Sequence, residues 1–220
     1  MEWNRELASN FTTIWMLITL FFLILRKKKL GEHINIFTYS LAVGTAIEIF
    51  NIFAFINDPT YNSIPLYVVG VNVVVFLLFF LYFHQLLQSR KLKRINLILI
   101  ALFIGTNLLS ILFAKDYFVS FPFLSHFILV TLLTVSIFLV MSQTFNSDKI
   151  LQIKNYYPFW VCIALMLIYL GVMPLLIISR NAVQMMNMDI FFIILFMVNI
   201  IGYSILIIGT FFARDLDKTP

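Results

Sequence analysis

Long apolar runs broken by short polar gaps dominate the chain, and run lengths of this kind predict membrane-spanning helices rather than alternating strands or the one-sided stripe of a soluble helix. Seven such runs, at 11–25, 34–56, 65–87, 95–114, 119–141, 158–179 and 188–213, are read as spans; most are near the ~20 residues that cross a hydrocarbon core. The first is short on a strictly apolar count and reaches full length only if Thr12 and Thr13 lie within the membrane. The fold expected is an all-α membrane protein, with one seven-helix domain over residues 1–220.

Charge orients this pattern. Arg26, Lys27, Lys28, Lys29, Arg90, Lys91, Lys93, Arg94, Lys149, Lys154, Arg214 and Lys218 fall on one side of the membrane, and Arg5, Lys115 and Arg180 on the other. By the positive-inside rule this puts the N-terminus outside and the C-terminus in the cytoplasm. Composition agrees, since 62% hydrophobic and 11% charged residues, with a mean hydropathy of +1.00, exceed what a soluble core and surface accommodate. The gaps leave no room for a catalytic or nucleotide-binding domain, so function is expected within the bundle or on its small faces. The net charge of +5 is dispersed at cytoplasmic span ends, where anionic lipid accounts for it, and nucleic acid is not an expected partner.

Other local signals are structural. Glu2, Arg5 and Glu6 precede the first span with no small-residue cleavage motif, so that span is expected to be retained. Cys162 is the only cysteine, which excludes an internal disulfide and a cysteine-rich metal site. The Asn10-Phe11-Thr12 triplet matches a glycosylation acceptor but lies against a span. Pro65, Pro122 and Pro158 sit near span starts, where a missing N–H is tolerated, whereas Pro174 lies inside the sixth span and should bend it. Trp3, Trp15, Tyr61, Tyr67, Tyr117, Tyr156, Tyr157 and Trp160 are placed as an interfacial belt, and most Phe as lipid-facing packing. The 185–188 Met-rich patch reads as an interfacial loop.

Polar residues inside the spans carry the candidate chemistry. Glu48 is the one acidic side chain placed deep in hydrocarbon, at a cost of at least ~2.5–3.5 kcal/mol, so it should face inward and be protonated or paired. No Lys or Arg falls inside a span to pair with it, and helical spacing puts Thr45, Glu48 and Asn51 on one face. Depths counted at ~1.5 Å per residue place Glu48, Asn51, Asn72, Asn107 and His126 in the outer half, with Tyr169, Asn199 and Tyr203 near the middle or just below. These eight residues are the expected lining of a cavity for a small or lipidic ligand. The competing structural reading makes the Asn and Ser side chains interhelical glue, with Gly44, Gly70, Gly105, Gly171 and Gly202 allowing close helix approach.

Known membrane chemistries are constrained by what the chain lacks. No Lys lies between Lys154 and Lys218, so a retinal Schiff base in the seventh span is excluded. His33, His84 and His126 fall at different depths and cannot share a metal, and Asp189 at a span mouth gives Glu48 no carboxylate partner for protease chemistry. Glu48 with His126 remains conceivable as an acid/base pair, but no nucleophile or metal accompanies it, and neither catalytic residues nor a cofactor are expected. Two three-span halves around a linking helix would suit a sugar carrier of the PQ-loop type, but the chain has no Pro-Gln dipeptide.

Ile47-Glu48, residues 62–67, Phe159-Trp160, Tyr169-Leu170-Gly171, Asn199 and Tyr203 resemble a group of seven-span proteins of Bacteroidetes, sometimes encoded beside sensor histidine kinases. The resemblance implies an inner-membrane location and a sensory or signalling role, without a known activity. Members often carry a second glutamate in span three, near where this chain has Val74. Three readings follow. One is a sensor or signalling subunit with a ligand in its outer half and a cytoplasmic or membrane protein partner. The others are an accessory subunit of a membrane complex and a small-solute transporter, whose inner path would have only Thr19, Ser136 and Ser204 to line it.

Overall fold

The computed structural model describes residues 5–113, 117–181 and 188–214. Trp3, Lys115, residues 185–187 and Lys218 lie outside the described residues. Seven helices are long and apolar enough to cross a membrane: α1 (Arg5–Arg26), α2 (Ile34–Asn57), α3 (Ile64–Leu86), α4 (Arg90–Phe113), α5 (Phe123–Phe145), α6 (Tyr157–Asn181) and α7 (Met188–Phe212). Together they mark a polytopic membrane protein.

The helix ends depart from the expected spans where polar residues extend or stop a helix. α1 begins six residues before position 11, at Arg5; Thr13 is buried in it and returns its hydroxyl to the Ser9 carbonyl at 2.9 Å, as a hydroxyl in an apolar helix does. α4 starts at Arg90 rather than Ile95, its basic residues continuing the helix beyond the apolar run. α5 starts at Phe123 rather than Val119, because Pro122 occupies the residue before the first turn.

The chain divides into two compact units, one of Met1–Gly31 with Ile153–Pro220 and the other of Glu32–Gln152. In the three-helix unit, α7 packs on both α1 and α6. Trp15 donates its indole N–H to Ser204 Oγ at 3.0 Å, and Arg26 donates to the Thr210 carbonyl at 2.9 Å while its guanidinium lies 4.8 Å from the centre of the Phe211 ring. Close approach of α6 and α7 relies on small residues. A Cβ at Gly209 would meet Trp160 Cβ and Cγ at 2.6 Å, one at Gly171 would meet Val198 at 2.9 Å, and one at Gly202 would strike Ile168. Gly209→Ala is expected to destabilise the protein by about 1–3 kcal/mol, because the added Cβ meets Trp160 Cβ, which moves only with the α6 backbone. An SDS titration in mixed micelles would register this as an earlier unfolding midpoint.

In the four-helix unit α3 is central and packs on α2, α4 and α5, and α4 also packs on α5. Its core is aromatic. Phe37 lies 5.9 Å from Phe79 and 5.5 Å from Tyr82, and Phe80 lies 5.2 Å from Phe103, ring centre to ring centre. Several phenylalanines expected to face lipid, Phe37, Phe76, Phe80, Phe83 and Phe103 among them, are instead buried. Among the expected belt residues, Tyr117 and Tyr157 are buried too, the latter donating to the Leu206 carbonyl at 3.3 Å. The aromatic ring supplies apolar area while the hydroxyl finds an internal acceptor.

At the basic end of this unit, Gln143 holds the turn between α3 and α4. Its Oε1 accepts from the backbone N–H of Gln88 at 2.7 Å and of Ser89 at 3.4 Å, and its Nε2 donates to the Leu86 carbonyl at 3.1 Å. Gln143→Leu should cost about 0.5–1.5 kcal/mol, the net worth of hydrogen bonds at an exposed turn where water takes over the backbone groups. Proteolysis in the 87–89 turn is the direct measurement, with faster cleavage expected in the variant.

α3 itself is unusual. Tyr67–Val75 is π-helical, and the Phe76 N–H reaches back to the Val71 carbonyl, five residues earlier. The segment reads Tyr-Val-Val-Gly-Val-Asn-Val-Val-Val, six valines and a glycine. β-Branched residues crowd the preceding α-turn and glycine favours it least, so this stretch gives up little by opening into wider turns.

Candidate ligand site

Polar contacts join α3 to each of its neighbours in the four-helix unit: Glu48 of α2 meets Tyr67, His126 of α5 meets Asn72, and Asn96 of α4 meets the Phe80 carbonyl. On α2, Thr45 and Asn51 are buried and Glu48, one turn before Asn51, is half-buried. Thr45 spends its hydroxyl on the Leu41 carbonyl at 2.7 Å. Tyr67, the first residue of the π-helical stretch, donates its phenolic hydroxyl to Glu48 Oε1 at 2.6 Å. A short bond from a phenol to a carboxyl oxygen is the strongest neutral-donor arrangement open to an acid with no basic neighbour in its span.

Inside the π-helical stretch Asn72 points at α5. His126 Nδ1 donates to Asn72 Oδ1 at 2.9 Å, which leaves the imidazole Nε2 as its acceptor nitrogen. Phe76 and Phe121 flank the imidazole with ring centres at 5.9 and 5.2 Å. On α4, Asn107 donates to the Phe103 carbonyl at 3.0 Å and accepts from the Tyr117 hydroxyl at 3.2 Å. Burial pushes the Tyr117 phenol above its ordinary pKa, so it stays a donor. Ser110 and Ser125 share a hydrogen bond of 2.6 Å beside this pair.

Three amide atoms on α2 and α3 have no hydrogen-bond partner: Asn51 Nδ2, Asn51 Oδ1 and Asn72 Nδ2, on side chains exposed by only 3% and 2%. Each buried polar atom left in this condition costs about 1–3 kcal/mol. His84 Nδ1 in the same unit is likewise without a hydrogen-bond partner, but among the described residues only Asn51 lacks one for both amide atoms. Asn96, for comparison, is fully buried but donates to the Phe80 carbonyl and accepts from Ser136.

Of the eight expected ligand-lining residues, Glu48, Asn51, Asn72, Asn107 and His126 belong to the four-helix unit. Tyr169, Asn199 and Tyr203 belong to the three-helix unit, where Asn199 donates to the Leu195 carbonyl of its own helix at 2.8 Å, Tyr203 is buried and Tyr169 is half-buried. Among the glycines expected at helix contacts, Gly70 packs directly on the Ile47 side chain, while Gly105 has nothing within 4 Å of its Cβ position. Among the described residues no group of three or more His, Cys, Asp or Glu could hold a metal. Sequence reasoning missed Tyr67 and Tyr117 as site partners, because aromatic residues near span ends read as interfacial. It also missed the serine pair, whose members fall on spans four and five.

No protein-family model, curated protein or solved structure matches the chain.

Proposed function

We propose that the protein is a sensor or signalling subunit of a bacterial inner membrane that binds a small or lipidic ligand at the Glu48, Asn51, Asn72 and His126 cluster. In this reading the N-terminus is outside, the cluster lies towards the outer leaflet, and a protein partner meets the basic cytoplasmic end. The observation that carries the proposal is the set of unpartnered amide atoms on Asn51 and Asn72. In a bilayer no bulk water relieves that cost, so a molecule that both donates and accepts hydrogen bonds gains from meeting these groups. Interhelical glue accounts for Asn96, Ser110, Ser125 and Ser136, whose side chains are engaged, but not for Asn51.

The transporter reading is less well supported. Thr19 donates to the Trp15 carbonyl, Ser136 donates to Asn96 and Ser204 accepts from Trp15, so each inner polar group on which that reading relies already has an internal partner. The resemblance to the Bacteroidetes group adds to the sensory reading through Glu48, and Val74 in place of the second glutamate leaves a one-carboxyl site.

Thermal unfolding of the purified protein with and without a lipid and polar-metabolite extract of its native cells tests the proposal. A ligand at ~100 times its Kd stabilises by about 2.7 kcal/mol. That shift is expected in the wild type and lost in Asn72→Leu; equal shifts in both, or none in either, would reject the site.

A further inference from the structure

The exposed stripe on α3 has an irregular period. Val69 and Val74 are exposed, at 50% and 38%, and lie five residues apart; the next exposed large residue on the helix is Leu81 at 38%, seven further on. Seven residues are two α-turns, whereas a spacing of five belongs to the i→i+5 pairing of the Tyr67–Val75 stretch. Phe76–Leu86 is the fixed half, with Phe76, Phe80 and Phe83 fully buried and its far end held by Gln143. The half that precedes it is held by fewer contacts, of which three depend on the wide turns. These are the Tyr67 hydroxyl on Glu48, the Asn72 amide on His126 and the seating of Ile47 in the space at Gly70.

We infer that α3 is a register switch in which Tyr67 latches Glu48 while residues 67–75 are π-helical, and releases it when they become α-helical. This inference rests on the reading of Glu48 as a ligand group and supplies its regulation. Changing the pairing by one residue turns the preceding half of the helix by roughly 100° relative to Phe76–Leu86. Counting back by α-turns from Val74 then puts Val71, Gly70 and Tyr67 on the exposed face and turns Val69 inward. Tyr67 leaves Glu48, Ile47 loses its seat at Gly70, and a ligand can take the place of the phenol on the carboxyl. The two states differ by few interactions. The α-state gains ordinary helical pairing, and the π-state keeps the Tyr67 hydroxyl on Glu48, the Asn72 amide on His126 and the Ile47 seat at Gly70; opposed sets of this kind are what a bistable element weighs.

The register can be read without any ligand. Nitroxide labels on single cysteines at positions 69, 71 and 74, in a Cys162→Ala background and in lipid nanodiscs, report oxygen accessibility at each position. The wild type should show 69 and 74 more accessible than 71. Tyr67→Phe removes the latch, and Gly70→Ala places a Cβ against Ile47, which only the π-state seats there. In the double variant, 71 should become more accessible than 69 while 74 is unchanged. If the double variant does not fold, Tyr67→Phe alone, which keeps the ring, should show the same inversion. A wild-type pattern in the folded variants would overturn the switch. Failure of the ligand reading is read separately, by the thermal shift in Asn72→Leu.

Discussion

Asn51→Leu yields a protein that is harder to unfold than the wild type and no longer holds its ligand. Leucine repeats the branched four-atom skeleton of asparagine, with bulkier ends, and carries no polar atom. The substitution therefore removes two buried amide atoms without partners while asking the neighbours of Asn51 to accommodate a slightly larger side chain. Relief of such atoms is expected to stabilise by about 1–3 kcal/mol, visible as a later midpoint in an SDS titration of the ligand-free protein. A site that stabilises the fold when deleted is the usual sign of a group retained for function. A destabilisation of the same size would show that Asn51 holds the helices together.

Glu48→Gln separates the carboxyl from its shape. Glutamine keeps an oxygen able to accept from the Tyr67 hydroxyl, now at 2.6 Å from Glu48, so expression and unfolding should stay close to wild type. Ligand affinity should fall about tenfold or more, since a hydrogen bond to a charged group contributes roughly 1.5–3 kcal/mol. Glu48→Leu should also fold. It removes a carboxyl whose place in the membrane costs ~2.5–3.5 kcal/mol and loses a hydrogen bond of comparable size, so the two terms nearly cancel. If both variants fail to fold, Glu48 is a structural residue and the ligand site loses its main acid.

The helices were legible because hydrocarbon leaves a chain few choices. A run of apolar residues long enough to cross must be helical, and α2 and α7 end within a residue or two of where the apolar runs do. The exceptions have local causes. Arg90 to Arg94 look like a loop by hydropathy, yet they are good helix formers and continue α4 backwards. Pro122 shortens α5 at a position where the flanking residues are still apolar. Of the site, the sequence exposed the residues that are anomalous in lipid, Glu48, Asn51, Asn72, Asn107 and His126. It hid their partners. Depth counting from span ends puts Tyr67 well above Glu48, but a phenol reaches over more than one turn and the π-helical stretch alters its direction. The π-helix itself has no hydropathy signal, since valine and glycine read as membrane residues in either register. The partition of the polar residues between two compact units depends on which helices pack, and single-span patterns do not record that.

Native mass spectrometry of the protein extracted gently from its own membranes, wild type beside Glu48→Gln, tests most directly whether the cluster is an occupied site. The account predicts a defined small-molecule or lipid adduct on the wild type that is lost or strongly reduced in the variant, with both proteins folded. An adduct-free wild type that carries a stoichiometric protein partner instead, unchanged by Glu48→Gln, would contradict it and favour an accessory subunit.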